Sequence, residues 1–113
     1  MPGEAMNGGT KHDAQKLRMD LLPPEAEIAL ATVLTYGADK YNADNWRKGL
    51  SFSRVLAAAQ RHLNAYRRGE YSDEESGLPH LWHALCNLAF LVTFDMNKEY
   101  EGNNDLYAYR KEE

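Results

Sequence analysis

The chain has 113 residues, enough for one domain with a hydrophobic core and too few for two ordinary domains. Its formal net charge of −4 argues against broad electrostatic binding to nucleic acid or to an anionic membrane. With a single cysteine it cannot form an internal disulfide, and no apolar run is long enough to span a bilayer. We therefore expect a cytoplasmic protein with no membrane segment and no direct nucleic-acid binding.

The first half of the chain predicts one helix and one long irregular connection. Residues 1–10 are rich in glycine and lack periodicity, so we interpret them as a flexible lead-in. The Pro23–Pro24 pair ends the polar segment that follows and can open a helix, which Gly37 ends or bends. Residues 36–50 then show neither helical nor strand periodicity. A polar, aromatic connection of this length in a small helical domain is often a binding loop.

Two longer helices follow, separated by an acidic loop. Ser51 or Ser53 can cap the first of them, and apolar residues at three- and four-residue spacing continue toward a natural stop at Gly69. The second runs from about Pro79 to about Lys98 and is apolar almost all round. A helix of that kind is typical of the middle of a bundle.

These patterns predict an all-α fold, a small bundle of about four to five helices. The sequence contains no internal repeat and no convincing strand pattern. Residues 11–98 would form the domain, and residues 99–113 would be a polar C-terminal tail or a short helix.

Three of the four histidines lie on the two helices that flank the acidic loop. His80 and His83, three residues apart, share one helix face and could bind one ion, with His62 as a third ligand. Carboxylates that could complete such a site occur at Glu70, Asp73, Glu74 and Glu75. The alternative is that His80 caps its helix and that the other two are hydrogen-bonded core histidines.

Cationic and aromatic residues offer contacts for a nucleotide. Side chains that could hold a triphosphate occur at Lys11, Lys16, Arg18, Lys40, Arg47 and Arg61. Trp46 offers a stacking face, and Asn45 beside it offers an amide that can read a base edge. Tyr36 and Tyr41 lie in the same irregular segment. Each charge taken singly is typical of a protein surface, and the aromatic side chains could instead anchor the segment to the core.

Four strings in the sequence occur together in a distinctive order. They are KHDAQKLRMDLLPPEA, LTYGADKYNADNWRKGL, RHLNAYRRGE and DEESGLPHLWHALCNLAFLV. Together they resemble the phage dATP/dGTP diphosphohydrolase family (MazZ-like), which is related to the MazG-like all-α nucleoside triphosphate pyrophosphohydrolases. The resemblance covers roughly residues 10–95.

The resemblance implies a MazG-like helical bundle, usually assembled as an oligomer. The nearly all-round apolar character of the last helix predicts a homo-oligomer, a dimer or a tetramer. The resemblance also implies divalent-metal-dependent hydrolysis of a purine deoxynucleoside triphosphate to the monophosphate and pyrophosphate. In a phage-encoded protein this activity would adjust the nucleotide pool in the host cytoplasm.

The chain departs from the MazG-like pattern at the metal ligands. MazG-like enzymes bind Mg²⁺ through paired acids on two helices, in an ExxE and a later ExxD motif. Here Arg61-His62 and His80-Leu-Trp-His83 occupy the corresponding regions, so that ligand set is not carried over.

The leading hypothesis is a pyrophosphohydrolase that uses Mg²⁺ or Mn²⁺. The metal ligands would be Glu70, Asp73, Glu74 and His80, and the catalytic residues would be His62, Glu75 and His83. The nucleotide substrate would be bound by Lys16, Tyr36, Lys40, Asn45, Trp46, Arg47 and Arg61. The alternative is a sponge-type protein that binds a nucleotide without hydrolysing it, which the missing acid pair keeps open.

Overall fold

The computed structural model describes residues 16–106, which form three α-helices joined by loops and short 3-10 helices. The α-helices are α1 (Pro24–Lys40), α2 (Phe52–Arg67) and α3 (His80–Met96), and the 3-10 helices are Met19–Leu21, Asn45–Lys48 and Lys98–Asn103. Within residues 16–106, β-type pairing is limited to one isolated antiparallel bridge between Ser72 and Pro79. The predicted all-α class is confirmed. No helix of the described part is long and apolar enough to cross a membrane.

Helix α1 begins where the sequence predicts and continues past Gly37. Pro24 occupies the first helical position, where its missing N–H removes no intrahelical hydrogen bond, and Glu25 lies in the first turn. Gly37 does not end the helix, because its carbonyl oxygen accepts a hydrogen bond from the Tyr41 N–H (2.8 Å). The helix therefore extends to Lys40, whose ammonium group reaches the acidic loop between α2 and α3.

The N-terminus of α2 is capped by a residue from far along the chain. Ser51 precedes the helix, but its side chain makes no capping hydrogen bond. Asp105 instead accepts hydrogen bonds from the Ser53 N–H (2.9 Å) and the Ser53 hydroxyl (2.6 Å). A carboxylate at this position satisfies a free N–H group and interacts favourably with the helix dipole. The predicted cap by Ser51 or Ser53 is therefore wrong, because Asp105, 52 residues beyond Ser53, supplies the acceptor.

The core lies between α2, α3 and the C-terminal 3-10 helix. It consists of Phe52, Val55, Phe94 and Tyr100, with Trp46, Phe90, Leu91 and Leu106 packed around it. The Tyr100 hydroxyl donates a hydrogen bond to the Arg47 carbonyl oxygen (2.7 Å), which ties the C-terminal segment to the 3-10 helix Asn45–Lys48. Tyr100 and Leu106, from the segment predicted as a tail or short helix, thus contribute to the core. Residues 107–113 lie outside the described part of the chain.

Helix α3 packs against both α1 and α2, yet one of its faces is not covered. The exposed fractions are 43% at Leu81, 43% at Leu88, 56% at Val92 and 78% at Met96. We call these four residues the α3 stripe. Successive members are seven, four and four residues apart, so they share one helix face. Within this chain α3 is not enclosed on all sides, contrary to the prediction from its composition.

Replacing Asp105 by alanine is expected to lower the free energy of unfolding by about 1–2 kcal/mol, because α2 loses its capping acceptor. Chemical denaturation followed by circular dichroism measures the change. Asp95→Ala removes an exposed carboxylate from α3 and is the matched control, with an expected effect below about 0.5 kcal/mol. Equal losses in the two variants would contradict the capping role.

Candidate active site

A cleft of about 790 Å³ opens between the C-terminal half of α1, the segment 41–50 and the α2–α3 pair. The predicted site residues in its walls are Tyr36, Lys40, Asn45, Trp46, Arg47, His62, Asp73, Glu75 and His83. Val33, Leu34 and Phe90 add apolar surface. A largely apolar cleft with a few convergent charged and polar groups is typical of small-molecule sites.

Three histidines meet where α2 packs against α3. The rings of His62 and His83 are stacked, with centroids 4.7 Å apart and an interplanar angle of 14°. His80 is 8% exposed, and its Nδ1 lies 2.9 Å from the His62 Nδ1. The three imidazoles form one cluster at the side of the cleft. The spacing of His80 and His83 predicted that these two share a face, and His62 joins them from α2.

Asp73 joins this cluster from the loop between α2 and α3. One ligand atom from each of His62, Asp73 and His80 lies within 4.8 Å of the other two. The Asp73 carboxylate accepts a hydrogen bond from the Ser76 N–H (2.9 Å), and the Asp73 N–H donates to the Leu78 carbonyl oxygen (2.8 Å). Its backbone and its side chain are therefore both fixed by the turn.

The donor set of His62, Asp73 and His80 fits a divalent transition metal. Two nitrogens on one ion, with bonds of about 2.1 Å, lie roughly 3.0–3.4 Å apart. The Nδ1 atoms of His62 and His80 are 2.9 Å apart, which is a hydrogen-bond distance, so a metal held by these two atoms would replace that hydrogen bond. Imidazole ligands suit Mn²⁺, Co²⁺ or Zn²⁺, whereas Mg²⁺ prefers oxygen ligands.

The protonation states of His62, His83 and Asp73 also suit a metal. Burial lowers the pKa of His62, and the neighbouring imidazoles of His83 and His80 lower it further. Burial likewise lowers the pKa of His83, an effect that Asp73 partly offsets. Burial by itself would raise the pKa of Asp73, but its hydrogen bonds with Ser76 and the nearby imidazoles bring it below the usual value. Neutral imidazoles beside an ionised carboxylate are the forms in which these groups bind metals.

Lys40 and Glu75 form an ion pair that joins the end of α1 to the acidic loop. The Lys40 ammonium also lies 5.2 Å from the Tyr41 ring centroid and 6.0 Å from that of Tyr36. The hydrogen bond with Glu75 raises the pKa of Lys40, so the side chain stays cationic at physiological pH. The α1 side of the cleft therefore carries a cation whose partner is the Glu75 carboxylate.

The indole of Trp46 is already engaged by protein groups. It stacks on Phe90, with centroids 4.5 Å apart and an interplanar angle of 19°. The Arg47 guanidinium lies over the same ring, 4.6 Å from its centroid. These contacts favour the alternative role raised from the sequence, in which Trp46 anchors the irregular segment to the core.

Several predicted residues lie away from the cleft walls. Lys16, Arg61, Glu70 and Glu74 are exposed, and none of them lines the cleft. Glu70 is nearest to the histidines, with one carboxylate oxygen 3.9 Å from the His80 Nε2. Arg61 precedes His62 on α2 but is directed to solvent.

Ser76, which the sequence did not predict as a site residue, contacts both Asp73 and His83. Its Oγ lies 2.7 Å from the His83 Nε2, and its backbone N–H binds Asp73. An aspartate followed three residues later by a serine and then a glycine is typical of a tight turn. That signal predicts the turn, but not its contact with a histidine on the following helix.

Comparison with known families identifies the chain. The family described as "dATP/dGTP diphosphohydrolase, N-terminal" matches residues 6–104. The chain belongs to this family. A dATP/dGTP diphosphohydrolase of Salmonella phage PMBT28 is 36% identical over 83 residues, which cover 74% of this chain and 28% of the relative. The chain thus matches just over a quarter of that relative's length. No solved structure matches the chain.

Membership of the dATP/dGTP diphosphohydrolase N-terminal family confirms the resemblance drawn from the four sequence strings. The matched residues 6–104 include all three α-helices, the acidic loop and every cleft residue named above. The histidine cluster therefore lies within the family's own domain.

Titration of the protein with Co²⁺, followed by visible absorption, tests whether His62, Asp73 and His80 bind a metal. We call these three residues the ligand group. His62→Ala, Asp73→Ala and His80→Ala are each expected to weaken Co²⁺ binding at least about tenfold, since loss of even an outer partner of a ligand costs that much. Glu74→Ala removes an exposed carboxylate from the same loop and is the matched control. Weakening by Glu74→Ala alone would contradict this ligand group and favour the loop acids.

Proposed function

We propose that this chain hydrolyses a purine deoxynucleoside triphosphate, dATP or dGTP, to the monophosphate and pyrophosphate. The proposal depends on one observation above all. The ligand-group residues His62 and Asp73 and the Lys40 ammonium line the same cleft. Family membership and the name of the phage relative support the choice of substrate.

The cleft suits a nucleotide in size and charge. Its volume of about 790 Å³ lies within the roughly 300–1,000 Å³ of typical small-molecule sites. Lys40 offers a cation for phosphate oxygens, and Arg47 is a second cation in the walls. Tyr36 and Asn45 would contact the base or the sugar, through an aromatic face and an amide.

His62, Asp73 and His80 are the residues that would hold a divalent ion. When bound, such an ion neutralises phosphate charge and lowers the pKa of a water molecule. Two imidazoles and one carboxylate favour Mn²⁺ over Mg²⁺ among the two ions considered from the sequence.

Lys40 and Glu75 would act in sequence as substrate binds. The Lys40 ammonium is bound by the Glu75 carboxylate, and phosphate oxygens are equally good partners for it. A bound triphosphate would therefore compete with Glu75 for the Lys40 ammonium. The carboxylate released in this exchange can accept, at Oε2, a proton from the attacking water. Glu75 would therefore be free as a base only when substrate occupies the cleft.

The second candidate function is nucleotide binding without hydrolysis. The ligand group contains one carboxylate, whereas MazG-like sites use paired acids. The chain also matches 28% of the relative that is named for the activity. Both observations favour a test that separates binding from turnover.

We further propose that the activity adjusts the nucleotide pool during phage infection, in the host cytoplasm. The phage source of the relative supports this role. Removal of dATP or dGTP would change the precursors available to the viral polymerase.

Incubation of the full chain with dATP or dGTP and Mn²⁺ is expected to release pyrophosphate and the monophosphate. EDTA is expected to abolish the release, because the ligand group would lose its ion. A coupled pyrophosphate assay measures the rate, and chromatography identifies the nucleotide product. Recovery of unchanged nucleotide from denatured protein, with no pyrophosphate formed, would support binding without hydrolysis.

The same assay, applied to two lysine variants, tests whether the triphosphate contacts Lys40. Lys40→Ala is expected to raise KM about tenfold, as loss of one charged hydrogen bond does. Lys48→Ala removes an exposed cation near the cleft but outside its walls, and is the matched control. Equal increases in KM would indicate diffuse attraction and contradict a specific contact with Lys40.

We also propose that the α3 stripe contacts a second copy of the chain. A two-fold contact places the same patch of both copies together, so that patch must be complementary to itself. An apolar stripe meets this condition, because burying it against its own copy removes hydrophobic surface from water. The oligomers implied by the MazG-like resemblance agree with this arrangement.

Light scattering coupled to size-exclusion chromatography tests the contact. The wild-type chain is expected to elute as a dimer or tetramer. Val92→Glu is expected to shift it toward the monomer, because each copy would bury a charge. Leu17→Glu changes an apolar residue that is 85% exposed and lies outside α3, so it should leave the mass unchanged. A monomeric wild-type protein would contradict the proposal.

A further inference from the structure

Ser76 makes contacts that no role assigned so far explains. It lies in the turn between Asp73 and Leu78, and its Oγ is 2.7 Å from the Nε2 of His83 on α3. The same Oγ accepts a hydrogen bond from the Leu78 N–H (3.1 Å). The Ser76 side chain therefore connects two parts of the site. One is the turn that holds Asp73, and the other is His83, which lines the cleft.

The position of the hydroxyl proton depends on these contacts. A serine hydroxyl has one proton to donate and two lone pairs that can accept. The Leu78 N–H occupies one lone pair of Ser76. Within residues 16–106, two acceptors lie near the hydroxyl proton: the His83 Nε2, at 2.7 Å from Oγ, and the Asp73 carboxylate. If Ser76 donates to the nearer acceptor, Nε2, a neutral His83 carries its own proton on Nδ1.

Asp73 is the competitor for the same proton. The Ser76 side chain helps to lower the pKa of the Asp73 carboxyl group. The Ser76 backbone N–H also donates a hydrogen bond to the Asp73 carboxylate. If the hydroxyl donated to Asp73, the His83 Nε2 would have to be the donor toward Ser76. The two arrangements place the His83 proton on different nitrogens, so they can be distinguished by experiment.

The tautomer determines what His83 offers a ligand. Nε2 is engaged by Ser76, and His83 is not part of the metal-ligand group. In the described part of the chain, no protein group forms a hydrogen bond with the His83 Nδ1. In the Nδ1–H tautomer, an N–H donor on a residue that lines the cleft is thus left for a ligand oxygen.

We propose that Ser76 is a positioning residue that holds His83 in the Nδ1–H tautomer, so that His83 donates a hydrogen bond to a phosphate oxygen. The hydrogen bond from His83 to a phosphate rests on the proposed function, whereas the tautomer of His83 does not. His83 would then act as a donor and not as a base or a metal ligand.

Nitrogen-15 NMR reads the tautomer directly. A long-range proton–nitrogen correlation spectrum of the metal-free full chain at about pH 8, where an ordinary histidine is neutral, distinguishes a protonated Nδ1 from a protonated Nε2. His83→Gln assigns the signals by their loss. The expected result is an Nδ1–H imidazole at His83. An Nε2–H imidazole would overturn the proposal and give the hydroxyl proton to Asp73.

Variants of Ser76 test whether the hydroxyl sets the tautomer. Ser76→Ala is expected to change the His83 signals to the Nε2–H form or to a mixture, and Ser76→Thr, which keeps a hydroxyl, is expected to retain Nδ1–H. Ser72→Ala removes an exposed hydroxyl from the same loop and is the matched control. An unchanged Nδ1–H form in a folded Ser76→Ala protein, checked by its amide spectrum, would also overturn the proposal.

Kinetics separate this inference from the proposed function. If the chain hydrolyses dATP, Ser76→Ala is expected to lower kcat/KM about tenfold, as loss of one hydrogen bond to a charged group does, and Ser76→Thr is expected to restore it. The tautomer is read without metal or nucleotide. A protein that shows Nδ1–H but no turnover would therefore contradict hydrolysis and leave the role of Ser76 intact.

Discussion

Polar groups at the contact between α2 and α3 impose the constraint on which the rest of the structure depends. A buried imidazole without a hydrogen-bond partner destabilises a fold, so each ring at this contact needs one. His62 and His80 partner each other, and His83 is paired with Ser76. Because the last of these partners comes from the loop, the loop is part of the helix packing and not a free connection.

The same constraint shapes the cleft. The turn that satisfies His83 also fixes Asp73, and it leaves Glu75 within reach of Lys40 at the end of α1. A carboxylate, neutral imidazoles and a cation thus border one cavity as a consequence of how the helices pack. The chemistry proposed for the site uses groups that the fold already holds in place.

Sequence periodicity predicted the three α-helices, although not the end of α1, and it predicted that His80 and His83 share a face. The spacing of His80 and His83 places them on one face, and the position of His62 on the preceding helix made it a candidate third member. The contacts that were missed join residues that no local pattern relates. The Asp105 cap of α2 spans 52 residues, and the Tyr100–Arg47 hydrogen bond spans 53.

The aromatic segment shows the same limit for side-chain roles. The sequence allowed Trp46 to stack on a base or to anchor the segment, and its composition fits both. The stack on Phe90, a residue of α3 that belongs to a different periodic pattern, favours the anchoring role. Propensity and spacing predict which face of a helix is buried, but they do not predict which distant ring will cover it.

The two sides of the cleft should respond differently to ionic strength. The wall formed by Trp46 is held by aromatic packing onto the core, which dissolved salt does not screen. The opposite side is held by the exposed Lys40–Glu75 pair, and interactions between exposed charges weaken as salt rises. Moderate salt would therefore loosen α1 from the acidic loop while the aromatic wall stays in place.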